Sequence, residues 1–312
     1  MTGHQAIPES GVIEGVAVLD LTAHTAEAIS RIKRIVGVAL VLVPESLAGE
    51  LTHVPMQGVA RVLAVPDGGR ARIHTGVVTM AGSALAVPNA DNDFLVMTGV
   101  MVLTSPVTEV TYRGIVATGV LLAPRGSEAA LAAKLMAATG TTAYYDYAEG
   151  QTVRVFQGQT RLRGEALANR GGQPNDIAIV AGQLVVTTPA PSVGFQQIVV
   201  AGQLAAPEAS VDVLEPQLAV FGQVAWYTGA ARAFAGADRF GRAFLELLPE
   251  PLTLVLSGAF TFEPDVPADL LREKVAAIVL SGALKGPREL VPVLQLLTVE
   301  KQGVIGVLDE EP

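Results

Sequence analysis

The sequence has no cysteine, little charge and few aromatic residues, and each shortage removes a class of protein. Without cysteine, the 312-residue chain has no disulfides, thiolate metal ligands or thiol nucleophiles. Charged residues make up 16% of it, against a usual share of roughly 25%, which leaves little for the solvated faces of a helical fold. The 21 Lys and Arg stand singly and the net charge is −9, so no basic stripe could neutralise a phosphate backbone and nucleic acid is not an expected partner. No uninterrupted apolar run reaches the ~18 residues of a spanning helix, so no membrane span is expected. Residues 1–10 hold His4 but no Lys or Arg, and no apolar h-region follows. No signal peptide is read, and a cytoplasmic protein is the expectation.

Motifs that carry chemistry are missing too. There is no P-loop, no GxGxxG opening a helix, no GxSxG elbow, no HExxH and no EF-hand loop. Among 32 glycines chance matches were easy, so no catalytic or cofactor-binding residue is assigned and no cofactor is expected. His53 and His74 lie 21 residues apart and Asp91-Asn92-Asp93 bunches oxygen ligands. A histidine pair without a third ligand is a poor site, and the acidic run lacks a loop's glycine and distal Glu, so no metal is assigned.

What is present is a recurring phrase: apolar, small, Gly, an alternating apolar run, then Pro. Val96-Met97-Thr98-Gly99 leads to Pro106, Val116-Ala117-Thr118-Gly119 to Pro124, Val180-Ala181-Gly182 to Pro189, Val200-Ala201-Gly202 to Pro207, and Leu280-Ser281-Gly282 to Pro287. Marker glycines are placed at 37, 58, 82, 99, 119, 182, 202, 222, 258, 282 and 303, with Gly140 and Gly158 or Gly164 as weaker ones. A fixed period of this size is the signature of a solenoid whose coils bury apolar faces against their neighbours.

The run after each glycine alternates as a strand does, and proline ends it by lacking an N–H. Short helices are expected after Thr25, after Ser127 through Leu135 and Met136, and after Pro267. Over 229–251, Phe234, Phe240, Phe244, Leu245 and Leu248 among charged residues predict an amphipathic helical insertion. The expected fold is therefore an α/β repeat: one solenoid domain over 1–312, with coils of about 20–24 residues and one long parallel sheet. A parallel β-helix is the alternative.

The last coil, with Ile278-Val279-Leu280-Ser281-Gly282 before Pro287 and then Leu290, Leu294 and Leu297, resembles a leucine-rich repeat, and the coil around Leu254 to Gly258 is similar. The chain carries Gly where that family runs its Asn or Cys ladder, and only about the last 60 residues show the likeness. The β-helix alternative is similar in outline to the polymer-forming bacterial β-solenoids.

Three function classes are weighed. A self-associating structural protein, with filaments as one outcome, comes first, because apolar strands stand near both ends with little capping. Val12, Ile13, Val304, Ile305 and Val307 are its candidate contacts. A protein- or glycan-binding scaffold comes second, with Tyr144, Tyr145 and Tyr147, and with Phe240 and Phe244 of the insertion, as contacts. A carbohydrate-active β-helix enzyme comes third, since no two carboxylates recur at equivalent offsets in consecutive clear coils. The loop 169–176 and the acidic residues 309–311 read as solvated surface.

Overall fold

The computed structural model describes residues 7–88 and 90–308, so His4 and residues 309–311 lie outside the described residues. The strands are parallel and fall into five sheets of three or four strands. β1 (Val12–Glu14), β3 (Arg34–Val36) and β5 (Met56–Gln57) form one sheet, and β2 (Val18–Asp20), β4 (Leu40–Pro44) and β6 (Arg61–Val65) the next. Each of these pairs is a single phrase bent at its glycine. The third sheet holds β7 (Arg70–Met80), β8 (Asp93–Leu103), β9 (Gly114–Pro124) and β10 (Leu135–Tyr145). The fourth holds β11 (Val153–Leu162), β12 (Ile177–Val186), β13 (Gln197–Pro207) and β14 (Leu218–Tyr227), and the fifth β15 (Ala230–Phe240), β16 (Leu252–Phe262), β17 (Val275–Gly286) and β18 (Thr298–Val307). The chain divides into two compact units, Met1–Ala148 and Glu149–Pro312.

The expectation of one long sheet is corrected by the connections. A parallel neighbour needs a crossover of about a dozen residues to bring the chain back to its starting end. Only residues 228–229 separate β14 from β15, and only residues 66–69 separate β6 from β7. Neither link can return the chain, so a new sheet begins.

Two other expectations change. Residues 230–240 form strand β15 rather than an amphipathic helix, and the helix α4 that follows is only Arg242–Glu246. The apolar residues of 229–251 fit a strand facing a core on alternate positions as well as they fit a helical stripe. Leu135 and Met136 likewise open β10, because the helix after Ser127 stops at Ala132. The helix after Thr25, Ala26–Ser30, is capped by the Thr25 hydroxyl, which accepts from Ala28 N at 3.3 Å. Pro267 precedes the helix Ala268–Lys274.

The strands pair glycine to glycine. Gly76, Gly99, Gly119 and Gly140 align in the third sheet, Gly158, Gly182, Gly202 and Gly222 in the fourth, and Gly236, Gly258, Gly282 and Gly303 in the fifth. At Gly202 (φ +142) a Cβ would run into the carbonyl oxygen of Gly182, so the backbones meet where no side chain fits.

Alternate residues on either side of each glycine face a core closed by the turns and short helices. Leu254, Leu256, Phe260 and Phe262 meet Leu245, Leu271 and Leu294 in this way. The opposite faces pack sheet on sheet: Leu40 and Leu42 against Phe94 and Val96 in the first unit, and Val185, Ala205 and Ala225 against Ala233, Val255 and Val279 in the second. Burial of each large apolar side chain contributes roughly 1.5–3 kcal/mol.

The third and fourth sheets correspond residue by residue at an offset of 82 or 83. Arg72 pairs with Asp93 as Arg154 pairs with Asp176. Ser127 Oγ accepts from Val107 N as Ser210 Oγ accepts from Ala190 N. Tyr145 donates to Leu103 O as Tyr227 donates to Val186 O.

Candidate functional site

The chemically open parts of a parallel sheet are its first and last strands, whose outer backbone groups lack a partner strand. The two ends are built differently. Four residues before its column glycine, each first strand carries an arginine: Arg72 in β7, Arg154 in β11 and Arg232 in β15. The paired positions on the next strands are Leu95, Ala178 and Leu254, which face the core. Arg72 Nε lies 2.7 Å from Asp93 Oδ2 with its guanidinium 5.7 Å from the Tyr112 ring centre, and Arg154 lies 2.9 Å from Asp176. Arg232 stacks over Phe234 at 5.4 Å. Each stem covers apolar surface while the charged head discourages an added strand.

Asp176 is the most enclosed of the paired acids, with its side chain 2% exposed. Burial pushes its carboxyl up, but bonds from Asn169 Nδ2 and Gln173 N and the Arg154 charge outweigh this and hold it below the ordinary aspartate value.

The last strands are less guarded. β18 carries Glu300 and Lys301 in its first half, whereas residues 304–307 are uncharged, with Val304 65% and Val307 43% exposed. Val299, 58% exposed, belongs to the same edge and was not singled out from sequence, because its apolar neighbours lie before the phrase rather than in it. Ile305 is half-buried against the cluster around Leu284, and Ile13 is only 4% exposed inside the first unit's core beside a half-buried Val12. Of the five candidate contacts, Val304 and Val307 are therefore the exposed ones, and Ile13 is corrected to a core residue.

The outward face of the fifth sheet differs from its neighbour. Three residues past the glycine, β12–β14 present Val185, Ala205 and Ala225 to the packed sheet, while β15–β17 carry Arg239, Thr261 and Lys285. Stacking of a further sheet there would bury charge.

The aromatic candidates are mostly structural. Tyr145 is 1% exposed with its hydroxyl bonded, Tyr144 packs half-buried on the third sheet's core, and Phe240 is enclosed by Phe234, Phe244, Phe260 and Phe262. No aromatic ladder of Tyr145 and Tyr147 stands open to a ligand, since Tyr145 points inward. Asp93 is occupied by Arg72, and no group of three or more potential metal ligands occurs among the described residues.

A polar row missed in the sequence runs through the fourth sheet. One residue past each glycine, Gln159, Gln183, Gln203 and Gln223 pass a hydrogen bond from amide to amide, and Gln223 Nε2 donates to Lys301 O at 3.2 Å. The recurring Gly-Gln pair was its signal.

Compared with known proteins, the chain matches no family model, no curated protein and no solved structure. No helix among the described residues is long and apolar enough to cross a membrane.

Proposed function

We propose that this chain is a non-enzymatic structural repeat protein, a strand-and-turn solenoid broken into short sheets, which self-associates through its last strand. One observation carries the reading: β18 is an edge strand with Val299, Val304 and Val307 exposed. An edge of unpaired N–H and C=O groups beside apolar side chains is most simply satisfied by another strand.

The arginine-bearing first strands weigh against joining unlike ends, which is the route to an open filament. Joining of two β18 edges about a two-fold axis avoids them and closes as a pair. The polar row of Arg239, Thr261 and Lys285 likewise weighs against face-to-face stacking. Sedimentation across concentration tests this reading. A dimer that gives way to monomer in the Val304→Lys, Val307→Lys double variant is expected. A parent that stays monomeric, or that grows without limit, overturns it.

A further inference from the structure

The strongest unexplained feature lies at the other end of the third sheet. A groove of about 910 Å3 runs along the free edge of β7, lined by Arg70, Arg72 and His74 on that strand and by Asp20, Thr22 and Tyr112 opposite. Arg70, Arg72 and His74 sit on alternate positions and so share one face of the strand. It is the face on which the paired strand places Leu95 and Met97 into the core.

Comparison with the corresponding strand separates scaffold from site. β11 keeps the arginine (Arg154) and its buried aspartate partner, as does β7, so Arg72 and Asp93 belong to the machinery that closes a first edge. Two residues to either side of Arg154 stand Thr152, just before β11, and Phe156 within it, where β7 carries Arg70 and His74. In β15 those positions are Ala230 and Phe234. The two extra basic side chains are thus peculiar to β7 and are not needed to end a sheet. Among the described residues, neither Arg70 nor His74 makes a side-chain hydrogen bond or ion pair. Asp20, the acid across the groove, is already engaged by the amide and hydroxyl of Thr22.

We propose that this groove binds an extended acidic peptide, which adds to the third sheet as a strand beside β7. Two matches select this ligand. The free edge offers backbone groups that only another extended backbone can pair in succession. The three basic side chains, of which Arg72 is shared with Asp93, are spaced by two strand rises, about 6.6 Å each and about 13 Å in all. A peptide strand with carboxylates on alternate residues repeats at the same interval, whereas a single small anion reaches only one or two of the three. An uncharged strand would leave Arg70 and His74 crowded and unpaired, so the charge that repels ordinary strands also selects the acidic one.

The test uses the full chain and a fluorescein-labelled seven-residue peptide with Glu at alternate positions among Val and Thr, read by anisotropy. Its isomer with the Glu residues contiguous and inorganic tripolyphosphate are the comparison probes. The alternating peptide is expected to bind at least about ten-fold more tightly than the contiguous isomer. Arg70→Gln with His74→Gln is expected to remove that preference, while Arg170→Gln with Arg288→Gln, a loss of surface charge elsewhere, leaves it intact. Arg70 is exposed and His74 half-exposed, so circular dichroism and melting should show these variants folded. Equal binding of the two peptides, equal effects of the two variant pairs, or displacement of both peptides alike by tripolyphosphate overturns the proposal.

Discussion

Tyr145 donates its hydroxyl proton to the carbonyl oxygen of Leu103 at 2.6 Å, two strands back across the third sheet. Tyr227 makes the same bond to Val186 across the fourth. Each tyrosine is the last residue of a four-strand sheet and ties it to the second strand, so these bonds hold the final turn of each sheet against the rest.

Removing a tie should be costly and its alkaline signature distinctive. Tyr227→Phe deletes one hydroxyl and leaves the rest of the packing, and a cost of roughly 1–3 kcal/mol is expected from the lost buried bond. Burial pushes the Tyr227 phenol up to about 12, above the unfolded value near 10. Its share of stability is therefore complete below the unfolded value and is lost as pH rises through the folded one. Urea midpoints near neutrality should differ between parent and variant, and the gap should close as pH is taken through about 12.

The glycine columns predict a contrast within one sheet. Gly202→Ala would place a methyl against the Gly182 carbonyl at a φ of +142, whereas a Cβ at Gly158 meets nothing within 4 Å and suffers only from its φ of +71. Gly158→Ala should cost about 1–2 kcal/mol, the price of a left-handed residue. Gly202→Ala should cost clearly more, and equal thermal midpoints for the two would remove the close approach as the reason for the column.

Acid should act through Asp176. Its folded carboxyl is held below the ordinary value, so the stability it contributes is present above the unfolded pKa of about 3.9 and lost as pH falls through the folded one. Asp176→Asn should therefore be less stable than the parent at neutral pH. The two should converge in strong acid, as denaturant midpoints along a pH series would show.

Much of this architecture was legible in the sequence, and the errors share a cause. Inner phrases such as those at Gly182 and Gly202 announced strand, glycine and stop, because both faces of those strands are buried and their residues are uniformly apolar. The markers missed or blurred were Gly76, Gly158 and Gly236, the glycines of the three first strands. There Arg72, His74, Arg154, Arg232 and Asp238 occupy positions that inner strands fill with aliphatic or aromatic residues, so the apolar pattern fades where an edge must be kept from pairing. Gly82 carries the apolar-small-Gly spelling of a marker, yet it sits in a turn beneath the Pro106 carbonyl, while Gly76, whose missing side chain would meet open space, is the glycine of the column. The sheet breaks were also written in the spacing, since the steps from Gly58 to Gly76, Gly140 to Gly158 and Gly222 to Gly236 are 18, 18 and 14 residues, shorter than any step within a sheet. The edge site was only half visible: exposure of Val304 and Val307 follows from the phrase, while the core position of Ile13 depends on Leu19 and Ile35 folding over it.

Each column of glycines has a direction. The space where a side chain would stand at Gly182, Gly202 or Gly222 is taken by the carbonyl of the glycine one strand earlier in the chain, while the first glycine of the column faces open space. A strand therefore takes its fit from its predecessor and asks nothing of its successor. A ribosome releases the predecessor first, so every strand after the first in a sheet emerges with the surface that shapes it already made, and the sheet can be completed in the order in which it is synthesised.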